Sequence, residues 1–138
     1  MAHKIRRIDY YYTRVKDEPG AAYQLLSLLA QLGINLQAFT AIPVGDTAAQ
    51  LTLFPDDHHH LELRAKESGL TLDGPHPAIL VRGDDELGAL TDIHERLFRA
   101  GVNIFASNGL TDGSGSYCYL IYIRPEEYKK AAEVLGIA

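Results

Sequence analysis

Cysteine is nearly absent: Cys118 stands alone among 138 residues, so no internal disulfide can form and nothing points to a secreted, oxidising setting. Long apolar runs are missing as well. No stretch approaches the roughly 18 residues needed to span a bilayer, and the opening Met1–Arg7 is polar and basic, without the apolar segment of a signal peptide. A cytoplasmic location is the default expectation, with no membrane partner. Positive charge is in deficit: the formal net charge is −5, whereas a nucleic-acid partner calls for a basic footprint. No Ser/His/Asp order, paired zinc-ligand spacing or phosphate-cradling glycine loop is present. The expectation is a protein that is not an enzyme and carries neither cofactor nor metal.

What the sequence does contain is internal repetition. Asp-Glu-Pro-Gly at 17–20 opens a segment that closes on Gly33-Ile34-Asn35. Asp-Glu-Leu-Gly at 85–88 opens one that closes on Gly101-Val102-Asn103. Gly20 and Gly88, Gly33 and Gly101, and Asn35 and Asn103 each lie 68 residues apart. Pro55 and Pro125, each followed by two acidic residues, lie 70 apart. The two extra residues belong in the turn Thr111–Ser116, whose composition tolerates insertion.

Each copy reads as strand, helix, hairpin, helix, strand. In the first, Ile5–Val15 is a strand rich in Tyr and Ile. A helix follows, with Pro19 in its first turn, Ala22, Leu25, Leu29 and Leu32 on one face, and Gly33 as its stop. Ile34–Val44 and Ala48–Phe54 form a hairpin, with Leu51 and Leu53 inward and Gln50 and Thr52 outward. Pro55–Ser68 is a helix and Leu70–Leu72 a short fourth strand. In the second copy Ala78–Arg82 is a strand, Asp85–Ala100 a helix, Val102–Leu110 and Tyr117–Arg124 a hairpin, and Pro125–Leu135 a helix. Only Ile137-Ala138 remain there, too little for a fourth strand. That sheet is one strand short, or is completed by the long first strand or by a second chain. The fold class is α+β: two ferredoxin-like βαββαβ repeats, 1–74 and 75–138, the second truncated at its last strand, with antiparallel sheets and helices on one face. A lone repeat would bury only about 60% of its unfolded surface, against roughly 68% for the whole chain. Tyr117–Arg124 is apolar on both faces, and a sheet wet on one side should alternate. Its second face is expected to be covered by the other repeat or another chain, with a homodimer preferred.

The strand, acidic turn, Pro-Gly or Leu-Gly, apolar helix and Gly-Ile/Val-Asn pattern resembles the ACT domain, the regulatory module of amino-acid metabolism. Because it occurs twice across nearly the whole chain, the sequence is similar to small free-standing tandem ACT proteins. The resemblance implies that a small metabolite, usually an amino acid, is held between paired domains by the loop before the first helix and the start of the second strand. On this sequence that means Asp17, Glu18, Pro19 and Gly20 with Asn35, and Asp85, Glu86, Leu87 and Gly88 with Asn103. The second set departs from the first in having Leu87 in place of Pro19. The chemistry suits a zwitterion. A helix N-terminus favours a carboxylate, glycine lets a ligand approach the backbone, and an Asn amide both donates and accepts. Asp17 or Asp85 can pair with an ammonium. The same positions also have plainly structural uses: acidic side chains stabilise helix starts by roughly 0.3–1 kcal/mol without any ligand, glycines permit close helix–sheet packing, and asparagines cap turns. The resulting expectation is a regulatory module acting on a separate partner, such as a metabolic enzyme.

Other features carry less. His58 and Glu62 are four apart on a helix and could share a metal, but consecutive histidines point about 100° apart, so a solvated helix face is expected. His94 is expected to be exposed and Cys118 to be a small buried hydrophobe. An RNA-binding sheet is the rival reading, since Tyr10, Tyr11, Tyr12, Tyr117, Tyr119 and Tyr122 lie on strands and Lys4, Arg6, Arg7, Arg14 and Lys16 make the first strand basic. The Lys/Arg-Gly-aromatic signature is absent before Tyr117. A purely structural ferredoxin-like protein is the third reading.

Overall fold

The computed structural model of the chain describes residues 3–137. Its elements, in order, are β1 (His3–Lys16), α1 (Ala21–Gln31), β2 (Leu36–Val44), β3 (Ala48–Pro55), α2 (His58–Ser68), β4 (Asp73–Asp84), α3 (Thr91–Arg99), β5 (Ala106–Thr111), β6 (Ser116–Tyr122) and α4 (Pro125–Leu135). The architecture is α+β. No helix among the described residues is long and apolar enough to cross a membrane. The described residues divide into two compact units, a first of Asp9–His76 and a second of residues 3–8 with 77–137.

In the first unit, β3 lies between β1 and β2, antiparallel to both, with registers Tyr11↔Leu53 and Phe39↔Leu53. Helix α1 forms because Leu25 and Leu29, four apart, share one buried face. It ends where Gly33, at φ 75°, turns the chain. The Ile34 N–H then donates to the Leu29 carbonyl at 2.9 Å. Helix α2 starts at Asp57, whose carboxylate accepts from the His60 N–H at 3.2 Å. Leu25, Leu29, Ile34, Leu51, Leu53 and Leu61 pack with Tyr11 as the core, each fully buried aliphatic contributing about 1.5–3 kcal/mol over exposure. The opposite face is also covered in part. Phe54 is wholly buried with its ring 5.4 Å from that of Tyr10, and Thr52, expected outward, is buried too.

Leu70–Leu72 is not a strand; the chain extends only from Asp73. Gly74 explains the close approach that follows. A Cβ there would stand 2.7 Å from the Tyr11 ring and 2.8 Å from the Tyr10 carbonyl. The start of β4 therefore lies tight against β1, where the His76 ring stacks on Tyr12 at 5.5 Å.

The second unit orders its strands β1-β4-β6-β5, with residues 3–8 supplying the β1 portion. The edge of β4 opposite β6 is thus covered by the beginning of the long first strand. Ile5 packs on the core and Ile8 is buried. The Arg7 guanidinium lies 5.2 Å from the Tyr128 ring centroid. Ile93 and Leu97 of α3, with Tyr128, Ala131, Ala132 and Leu135 of α4, cover one face of this sheet. On the other face of β6, Leu120 is buried, Tyr122 half-buried and Cys118 exposed. Cys118 is therefore not the buried hydrophobe expected from strand alternation. Helix α3 also starts later than the periodicity predicts: residues 87–90 form a turn and the helix begins at Thr91.

A nucleic-acid platform needs its aromatics on an open sheet face. Tyr11, Tyr117 and Tyr119 instead lie in the helix-covered cores and are buried, so half of the tyrosines that the RNA reading relies on cannot stack a base.

Candidate functional site

The turn after β4 borders a concavity of the second unit. Its backbone is fixed at both ends: the Asp85 N–H donates to the Gly115 carbonyl at 2.9 Å, and the Thr91 N–H to Gly88 at 3.0 Å. Gly88 sits at φ 75°, a conformation that side chains other than glycine resist. Its surroundings are roomy, since the nearest atom to an added Cβ would be the Thr91 hydroxyl at 3.6 Å. Gly20, the counterpart in the first unit, has φ 89° and nothing within 4 Å of such a Cβ. Both glycines serve the backbone turn and leave open space above it; close helix–sheet packing is not their purpose.

Asp85, Glu86, Gly88, Ala89, Leu90 and Thr91 form one wall of a cleft of about 610 Å³, closed on the other side by Gly109, Leu110 and Thr111 of β5 and by Tyr117 of β6. That volume lies in the range of small-molecule sites, roughly 300–1,000 Å³. Burial first, then the carboxylates of Asp92, Asp84 and Glu86, push the Tyr117 hydroxyl above its ordinary pKa. Tyr117 therefore stays a neutral donor and acceptor beside a rim of negative charge. The cleft is suited to an ammonium at its rim and an apolar group against Ala89, Leu90 and Leu110, with the α3 N-terminus favouring a carboxylate.

A second, shallower recess of about 480 Å³ shares Leu90 and Thr91 with the cleft and adds His94, Glu95 and Phe98. His94 is exposed, as expected, yet it is not idle. Its Nε2 lies 2.6 Å from the Tyr119 hydroxyl, which in turn donates to Ser107 Oγ at 2.9 Å. Gly109 permits this arrangement, because a Cβ there would lie 3.2 Å from the Tyr119 ring. Sequence spacing gave no sign of the contact, which joins residues 25 apart on different elements.

Asp17, Glu18, Pro19 and Gly20 are all exposed in the turn before α1, as are Asp85, Glu86, Leu87 and Gly88 before α3. Asp85, Glu86 and Gly88 line the cleft. Asn35 and Asn103 lie elsewhere within their units. Eleven residues of α1 separate Gly20 from the Asn35 end, and nine of α3 separate Gly88 from the Asn103 end, or about 16 and 14 Å of helix. The Asn35 side-chain amide donates to the Asp56 carboxylate at 3.3 Å, while the Asn35 backbone carbonyl accepts from the Asp56 N–H at 3.0 Å. The Asn103 N–H donates to Glu127 at 3.4 Å. Both asparagines thus tie the start of their strand to the start of the following helix.

In the first unit, the histidines at the start of α2 do not diverge as ideal helix spacing predicts. The His58 and His59 rings lie 4.1 Å apart, and one ligating atom from each of His58, His59 and Glu62 falls within 4.8 Å of the others. Side-chain torsions bring together what the backbone positions alone hold apart. The Tyr11 hydroxyl donates to Glu62 at 2.5 Å, and burial, followed by Glu62 and Asp9, pushes its pKa upward.

No protein-family model and no curated protein sequence matches the chain. Likeness emerges at the level of the fold. A protein from Bacteroides thetaiotaomicron matches with a TM-score of 0.77 at 19% identity, over 97% of this chain and 88% of that one. The regulatory subunit of aspartate kinase from Thermus thermophilus, in ligand-free form, matches with a TM-score of 0.63 at 15% identity, over 99% and 96%. The regulatory subunit of aspartate kinase from Thermus flavus gives 0.56 at 19% identity, over 98% and 94%. At such identities the likeness establishes a shared α+β, ACT-like fold.

Proposed function

We propose that the chain is a tandem ACT-like regulatory module, non-catalytic in itself, that binds a small amino acid and passes occupancy to a separate partner protein. The observation that carries this reading is the acid-rimmed cleft at the turn 85–91, of a size for one small metabolite and lined by Asp85, Glu86 and Gly88. The fold shared with regulatory subunits of aspartate kinase supports it. In this reading the chain is a duplicated βαββαβ unit divided at 74/75, and the turn at Asp17–Gly20 is the equivalent position of the first copy. Cytoplasmic residence and a homodimer formed through the sheets complete the proposal. Coupling between ligand and partner is of the usual order, about 1–3 kcal/mol.

The test is a thermal-shift screen of the twenty amino acids on the wild-type chain and on the double variant Asp85→Asn/Glu86→Gln. One chemical class of amino acid raises the wild-type Tm, and the variant, whose changes are exposed and leave the apo Tm nearly unmoved, loses the rise. A chain that responds to none of the twenty, or a variant that responds as well as wild type, would overturn the assignment. Light scattering at micromolar concentration tests the dimer, which a clean monomer mass would refute.

A further inference from the structure

We propose a second site, independent of the ligand cleft: Asp9, His58, His59 and Glu62 of the first unit form a binding site for a divalent transition-metal ion of the zinc class.

Three side chains of α2 converge there, and Asp9 of β1 stands beside one of them. His58 and Glu62 are four apart and share a face of α2. The His59 ring swings toward them until one donor atom of each residue lies within 4.8 Å of the other two. Asp9 approaches from β1, its carboxylate 3.9 Å from His58 Nδ1. Zinc bonds of about 2.0–2.1 Å place tetrahedral donors roughly 3.4 Å apart, so the three α2 donors, all within 4.8 Å of one another, must close by at most about 1.4 Å. Rotation of partly exposed side chains at the opening turn of a helix supplies that much. Two imidazoles beside two carboxylates select borderline transition metals over calcium or magnesium, which take oxygen ligands. The set is also charge-balanced: two carboxylates offset a dication, against the positive end of the α2 dipole.

One feature distinguishes this cluster from an incidental run of histidines. The buried Tyr11 hydroxyl donates to one Glu62 oxygen at 2.5 Å. That bond orients the carboxylate and leaves its other oxygen to coordinate, the supporting contact that metal sites use to fix their ligands. His60 lies outside the group. Its backbone N–H is taken by Asp57, and its ring nitrogen lies against Gly33, 3.8 Å from where a Cβ would stand there.

The experiment uses the full, untagged chain stripped of metal by chelator. Zinc is titrated by calorimetry, and cobalt(II) is followed by its visible absorption as a coordination reporter. Wild type takes up one equivalent with a Kd of micromolar or tighter. His59→Ala and Glu62→Gln each weaken binding by at least about tenfold, with far-UV circular dichroism unchanged. His60→Ala binds as wild type. Absence of saturable binding below roughly 100 μM, about −5.5 kcal/mol, would overturn the proposal. So would binding that survives both His59→Ala and Glu62→Gln, or that is lost equally in His60→Ala, which would reduce the site to a histidine run. None of these readouts depends on an amino-acid ligand, so this proposal and the regulatory reading fail separately.

Discussion

At the scale of single residues, the two conspicuous polar contacts of the first unit serve different ends. Asn35 bonds Asp56 at an exposed strand–helix junction, far along α1 from the turn at Gly20. Asn35→Ala should cost about 0.5–1 kcal/mol in denaturant unfolding and leave untouched any ligand-induced rise in Tm that originates in the cleft at 85–91. Loss of that rise would instead place binding at the strand start, as the family resemblance implies. Asp73 behaves as an electrostatic anchor. Hydrogen bonds from Tyr12 first and His76 second, the latter at 2.8 Å, hold its carboxyl below the usual pKa. A folded-state pKa that is depressed adds stability above the unfolded value, and that stability is lost as pH falls through the folded one. Asp73→Asn should therefore lower the Tm at pH 7, and the gap to wild type should close as the pH is brought down through and below the carboxylate range. A gap constant with pH would show that the carboxylate's charge contributes nothing.

At the scale of elements, the hydrogen-bonded chain from His94 through Tyr119 to Ser107 fastens α3 to the hairpin of β5 and β6, alongside the cleft. Tyr119 is buried, so Tyr119→Phe removes a hydroxyl that two neighbours use without opening a cavity. The expected loss is about 1–2 kcal/mol in equilibrium unfolding, and if the hairpin wall matters to ligand binding, affinity falls with it. A variant as stable as wild type would show that solvent already satisfies His94 and Ser107. Much of the element order is legible in the sequence, for physical reasons. Glycines at 33, 69, 101 and 136 take positive φ where helices end, and apolar residues at helical spacing supply the buried faces. What was illegible is equally specific. Nothing local distinguishes residues 87–90, a turn, from the first turn of α3, since Ala89 and Leu90 suit either. The meeting of His58 with His59 depends on side-chain torsions, and that of Asp9 with His58 on strand placement; neither is a property of spacing along one helix. The cleft was partly legible: its acidic and glycine residues carry a sequence signal, while the β5 wall of Gly109, Leu110 and Thr111 carries none.

At the scale of the molecule, β1 is the element on which the organisation turns. Fourteen residues long, it gives residues 3–8 to one compact unit and 9–16 to the other. The sequence marks a single long strand but not the partner of its first half, because strand pairing is decided by edges that exist only once the sheets form. The second unit depends on that choice. Without residues 3–8, β4 becomes an edge with unpaired backbone groups, Tyr128 loses the Arg7 guanidinium over its ring, and the cover from Ile5 and Ile8 is gone. Burial of Ile8 alone is worth about 1.5–3 kcal/mol. A chain starting at Asp9 should consequently unfold its second unit first. In native-state hydrogen exchange, amides of β4 between 77 and 84 and of α4 should lose protection by at least about a hundredfold, roughly 2.7 kcal/mol at 1.36 kcal/mol per decade, while those of α1 and β3 hold theirs. Ligand response should vanish with the second unit, since the cleft at 85–91 belongs to it. A synthetic peptide of residues 1–8 added in excess should restore protection in proportion to its occupancy. Equal loss across both units would mean that they unfold as one cooperative body, and unaltered protection throughout would show that the first eight residues are dispensable to the fold.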